Sequence, residues 1–165
     1  LQGGDRRSIG KVEAVVSAVH KKPDLFKDLV NGLFDEDPLV RMRAADAMEK
    51  ISLDKPEFLR PFKGKLFQLA KVTRQQELRW HLAQMLPRLK LSDRERQAVI
   101  ALLYDYLDDK SRIVKTFGMT ALAELASHDV QLRAKLIPTP KRLMRTGSPA
   151  MRSRGKKLLT HLTSD

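Results

Sequence analysis

The sequence predicts an all-α protein built from about four stacked helix pairs behind an N-terminal capping helix. Three observations carry that expectation. The stretch Asp37–Ile51, DPLVRMRAADAMEKI, reads as one amphipathic helix with its start signal attached. Three later stretches repeat its layout at a nearly fixed period, and a period in this range means stacked helical units. Aromatic residues are only 5% of the chain, and alternating Val-rich runs of the strand kind are absent.

Within the founding stretch, Asp37 suits the N-cap, because its carboxylate can accept from the first-turn N–H groups that have no helical partner. Pro38 suits the first helical position, where no donor is needed. Val40, Ala44, Ala47, Met48 and Ile51 fall three or four residues apart and form one apolar stripe, with Arg43, Asp46 and Lys50 opposite. Taking Arg41 as the marker, the equivalent pairs are Leu78–Arg79, Val114–Lys115 and Met151–Arg152, at spacings of 38, 36 and 37 residues by subtraction. Met48, Leu86, Leu122 and Leu159 stand seven residues after the markers, and Ile51, Leu89, Leu125 and Leu162 stand ten after. Asp37, Gln75, Ser111 and Ser148 stand four before, and three of these are capping residue types.

The pattern D-x-x-V-R-x-x-A-A-x-A-M-x-x-I resembles the second helix of a HEAT repeat, with armadillo and phycobilin-lyase-type repeats as near look-alikes. The resemblance is close over Asp37–Ile51, weaker over Glu77–Lys90 and Ser111–Ala126, and weakest over Pro149–Thr163. It implies antiparallel helix pairs stacked into a right-handed, curved α-α superhelix whose second helices line the concave side. It names no ligand, because such folds host many binding tasks.

The elements follow in order. A capping helix is expected over 8–21, started by Ser8, with Val12, Val15, Val16 and Val19 buried and no partner helix of its own. Repeats are expected over 24–52, 56–90, 92–126 and 130–163, all in a single domain spanning 1–165. Asp24 is placed to cap the first repeat. Pro61 is placed to begin or kink the first helix of the second repeat, and Pro87 to bend its second helix near the end. Ser92-Asp93-Arg94-Glu95 has the form of a capping box. Pro138 and Pro140 are expected to split the first helix of the fourth repeat. Gly118 and Gly155 hold the slot of Ala44 and Leu82, where a small residue allows close helix packing.

Composition bounds the function. The chain of 165 residues carries a net charge of +12, with 32% charged and 42% hydrophobic residues. Residues 131–165 hold nine Lys/Arg and one Asp, which raises the expectation of a polyanionic partner. Cysteine is absent, as befits a reducing cytoplasm. No apolar run approaches the roughly 18 residues of a membrane span, and no secretory pattern opens the sequence. The expectation is therefore a cytoplasmic protein with no membrane partner, monomeric or weakly oligomeric.

Candidate binding residues lie on the second helices. Arg41, Arg79, Lys115 and Arg152 form a basic column, with Arg43, His81, Arg154 and Lys157 nearby. Such a column either offers a positive groove to phosphate or acidic groups, or pairs with turn acids such as Asp37 and Asp109. Trp80, the only tryptophan, lies beside the buried stripe rather than in it, as a stacking or anchoring side chain would. The acids at 35–37 and 105–109 sit at helix boundaries, where they cap and complement the dipole, and lack the Ca²⁺-loop pattern. The four histidines have no metal-pair spacing, and no phosphate-binding glycine loop or nucleophile motif occurs. The expectation is a non-enzymatic scaffold that binds a protein partner along the concave face, without metal or cofactor. Nucleic-acid binding through the basic face is the alternative. A DNA glycosylase-like enzyme is a remote third, since HEAT-like glycosylases share the architecture and positive charge but rely on several cleft aromatics.

Overall fold

The computed structural model describes residues 11–127, 129–147 and 149–163, apart from the side chains of Leu143, Thr146, Ala150 and His161. Among them every regular element is helical: α1 (Val12–Lys21), α2 (Phe26–Gly32), α3 (Pro38–Asp54), α4 (Lys63–Val72), α5 (Gln76–Met85), α6 (Asp93–Tyr106), α7 (Arg112–Ala126), α8 (Val130–Leu136), α9 (Pro138–Thr146) and α10 (Pro149–Thr163). Short 3-10 turns at Pro23–Leu25, Pro56–Phe62 and Leu86–Arg88 join them. The chain divides into two compact units, the first ending at Lys90 and the second beginning at Leu91.

In the first unit, α2 packs on α3 and α4 on α5 as helix pairs, while α1, α3 and α5 lie side by side. In the second, α6 pairs with α7 and α9 with α10, and α7 lies against α10. The four aliphatics beside the markers are all buried: Val40 at 6%, Leu78 at 1%, Val114 at 0% and Met151 at 4% exposed. At about 25 cal/mol per Å² of apolar surface removed from water, this repeated stripe is the main drive to stack.

The helix starts follow the local chemistry. Asp37 Oδ1 accepts from Leu39 N at 2.8 Å, and Ser92 with Glu95 completes the capping box ahead of α6. Ser111 starts α7. Pro87 turns the end of α5 into a 3-10 segment, and the chain breaks at Ile137 between α8 and α9, just before Pro138. Asp24 does not cap: it sits inside the Pro23–Leu25 turn, which makes no side-chain cap. Pro61 lies within the 3-10 segment before α4 and kinks no helix, because the α-helix only begins at Lys63. The expected starts at Ser8 and Ser148 lie outside the described residues, as does His128.

The slot three residues after each marker is the seam between the two helices of a pair. A Cβ on Gly32 would meet Ala44 Cβ at 3.1 Å, one on Gly118 would meet Tyr106 Cβ at 3.2 Å, and one on Gly155 would meet Met144 Cγ at 2.5 Å. Small residues there set how closely paired helices approach.

Candidate functional site

On the first unit, Arg41 is a tie between repeats. Its Nη1 donates to the backbone oxygens of Asp35 at 2.7 Å and Glu36 at 3.0 Å, and its Nε donates to Gln75 Oε1 at 2.7 Å. Gln75 returns a bond from Nε2 to Pro38 O at 2.8 Å. At Arg41 the alternative of pairing with a turn carboxylate is therefore corrected. Asp37 directs its Oδ1 at the adjacent backbone donor Leu39 N, and Arg41 reaches the turn carbonyls instead. Arg152 repeats the geometry in the second unit, donating from Nη1 to Gly147 O at 2.8 Å, five residues back, as Glu36 is from Arg41. Arg79 and Lys115 are half-buried.

Arg43 was expected opposite the stripe, yet it is 1% exposed. The reason is that α3 packs against α1, α2 and α5, so three sides are covered. Ala45 and Ser52 are covered with it. What remains of α3 near solvent is a narrow strip that includes Met42, Asp46 and Lys50.

On α5 the same repeat slots hold Trp80 and Gln84, with Glu77 and His81 alongside, all half-buried. The Trp80 and His81 rings stand 5.6 Å apart. Burial holds the His81 pKa below its usual value, against the opposing pull of Asp46, Glu49 and Glu77. Among the described residues its Nδ1 is a buried atom with no hydrogen-bond partner, so no carboxylate orients it as a base. Between the N-terminal ends of α3 and α5, a small cleft of about 80 Å³ is lined by Pro38, Leu39, Arg41, Met42, Gln75 and Glu77. A larger hollow of about 440 Å³ lies beside the 3-10 turns before α2 and α4, lined by Phe26, Phe58 and Phe62 with Pro23 and Pro61.

Several polar ties escaped the sequence reading. Arg88 Nη2 meets Glu49 Oε1 at 2.6 Å, and its Nη1 donates to Glu49 O at 2.8 Å and Ser52 Oγ at 2.7 Å. Lys50 bridges to Glu13 at 2.6 Å, and that hydrogen bond raises its pKa. In the second unit, Arg96 pairs with Asp129 at 2.8 Å and donates to Leu125 O at 2.6 Å. Asp129 also accepts from Leu132 N, and that backbone bond, with Arg96, holds its carboxyl below the usual range. One signal was present: Arg133 stands 37 residues after Arg96, one full period, and donates to Ser127 O.

The three C-terminal helices, α8 to α10, differ in charge. Lys135, Lys141, Arg142, Arg145, Arg152, Arg154, Lys156 and Lys157 are all exposed, and no Asp or Glu occurs from Val130 to Ser164. Arg152, Arg154 and Lys157, expected as binding residues, all lie exposed on α10, which packs against α7, the helix that carries Lys115. Among the described residues, no helix is long and apolar enough to cross a membrane.

A model of the HEAT repeat domain matches residues 4–160. Comparison with curated proteins and with solved structures returns no match. The buried columns, the paired helices and this match over nearly the whole chain agree: the protein belongs to the HEAT repeat family.

Proposed function

We propose that the chain is a non-catalytic scaffold that binds a protein partner on the α3–α5 strip of its first unit. The observation that carries this reading is the pairing of Met42 and Trp80. They occupy the same repeat slot on neighbouring helices, 38 residues apart, and both stay half-buried at the surface. The cleft lined by Leu39, Met42 and Glu77 lies one helical turn from Trp80. Aromatic and Met side chains beside a small recess lined by both apolar groups (Leu39, Met42) and polar ones (Arg41, Gln75, Glu77) suit a protein interface, where a few such anchors carry most of the affinity. Phosphate is a poor fit to this strip, because Asp46 and Glu77 lie along it. The isolated His81 Nδ1 speaks against general-base chemistry here.

Affinity capture with the wild-type chain and a Trp80→Ala variant tests the reading. A protein held by the wild type should bind the variant about 30-fold more weakly, as a lost aromatic anchor of about 2 kcal/mol implies. Equal retention by both chains, or recovery of nuclease-sensitive material alone, overturns it.

A further inference from the structure

We propose that the α9–α10 pair of the second unit is a separate surface that binds the phosphate backbone of double-stranded nucleic acid without reading its sequence. The charge is of one sign. From Val130 to Ser164 the chain has no acid, while Lys141, Arg142 and Arg145 are exposed on α9 and Arg152, Arg154, Lys156 and Lys157 on α10. Seven exposed cations on two touching helices repel one another in the free protein, and a polyanion relieves that repulsion while releasing its own counterions.

The spacing suits a backbone. Lys141 and Arg145, and likewise Arg152 and Lys156, lie one turn apart, about 6 Å along the axis. Close approach keeps the rows together. Gly155 faces the Met144 side chain, whose Cγ would stand 2.5 Å from an added Cβ, so α10 lies close against α9.

The choice of partner follows from what these helices lack. No Phe, Tyr or Trp occurs after Phe117, so bases of a single strand would find none of the large rings on which they stack best. Among the described residues of α9 and α10 the half-buried large apolar side chains are Met144 and Leu159 and none is exposed, so a protein would find no aromatic anchor of the kind Trp80 offers. Cations alone remain, and these are the groups that contact phosphate oxygens and hold a duplex without specifying it.

The test is a fluorescence-anisotropy titration of the whole chain with a short random-sequence duplex across a salt series. If about four or five phosphates are neutralised, the log–log slope of affinity against salt should be about −4. The variant Lys141→Gln/Arg142→Gln/Lys156→Gln/Lys157→Gln, all at exposed positions, should bind more than about tenfold more weakly and lose most of the slope, roughly one unit per contact removed. Lys21→Gln/Lys22→Gln in the first unit, also exposed, should bind as the wild type does. An equal loss per charge removed in the two variants would mean bulk charge acts rather than this surface, and the proposal fails. It fails equally if a single strand of the same sequence, polyglutamate or an anionic phospholipid vesicle binds more tightly than the duplex. Trp80→Ala leaves this binding untouched, which separates it from the protein-binding face.

Discussion

The second helices of the two units occupy the same repeat slots and fill the outward ones with different chemistry. One residue after the markers stand Met42 and Trp80 in the first unit, and Thr116 and Ser153 in the second. Five after stand Asp46 and Gln84, then Thr120 and Lys157. The inward slots hardly vary: Val40, Leu78, Val114 and Met151 are all buried aliphatics. The repeat period therefore constrains what packs and leaves the outward positions free, and any binding specificity resides in columns that carry no fold signal. The first unit offers aromatic, apolar and acidic groups together. The C-terminal pair of the second offers cations.

The ties between neighbouring repeats differ as well, and the largest expected effect is there. Arg88 is held by the Glu49 carboxylate, the Glu49 carbonyl and Ser52 Oγ, with about 15% of its side chain and 12% of that of Glu49 exposed. Arg88→Met removes the charge and leaves the Glu49 carboxylate half-sealed without its partner. It should destabilise the first unit by about 3 kcal/mol, the lower end for breaking a buried pair. Chemical denaturation followed by Trp80 fluorescence reads that unit. A loss under about 1 kcal/mol would mean the tie is screened like a surface pair.

That tie also marks where the sequence stops being informative. The buried columns, the caps at Asp37, Ser92 and Ser111 and the breaks at Pro87 and Pro138 were legible because each depends on its own neighbours along the chain. Arg43 was misplaced because its burial comes from α1, α2 and α5 closing around α3, which no periodicity in one helix reveals. Arg41 stood out by its repeated slot, but the turn groups that accept from it are carbonyls, which every residue has and no sequence pattern shows. Glu49 and Arg88 are 39 residues apart, close to one period, yet the column of Arg88 holds Lys50, Glu124 and His161, so no repeated motif announces it. The basic end of the chain was legible by counting, since it needs only the absence of acids.

The glycine seam sharpens the comparison within the second unit. An added Cβ at Gly155 comes nearer its neighbour than one at Gly118, at 2.5 Å against 3.2 Å. The walls differ, however. At Gly118 they are the Cβ of the fully buried Tyr106 and the Leu103 carbonyl, which are fixed. At Gly155 the wall is the flexible, half-buried Met144 side chain, which can change rotamer. Gly118→Ala should cost about 1–2 kcal/mol by overpacking. Gly155→Ala should stay within about 1 kcal/mol of the wild type, because the helix propensity gained offsets the rotamer change. Thermal unfolding of both variants checks this, and the reverse order would show that distance alone decides.

Gln75 comes next. It stands in a capping slot without capping α5, and instead accepts from Arg41 and donates to Pro38 O. Gln75→Ala should cost about 1 kcal/mol, two modest bonds less the water that replaces them. A change near zero would leave Arg41 anchored by the turn carbonyls alone.

The smallest effect is a pH dependence confined to the first unit. Burial lowers the His81 pKa, while Asp46, Glu49 and Glu77 pull it up and Lys50 pushes it down. The unfolded chain keeps the ordinary value of about 6.5. Above that both states are neutral and the stability is intact. As pH falls below it the unfolded chain takes the proton first, so stability declines until the folded value is also passed. The melting temperature should therefore drop as the pH is lowered through that window, and less so in His81→Gln. Trp80 supplies a local reading, since its ring stands 5.6 Å from the imidazole and its emission senses the added charge. A fluorescence midpoint below about 6.5 is expected. A midpoint above it would mean that the three carboxylates outweigh burial, and that the α3–α5 strip presents a cation where the geometry gives a neutral ring.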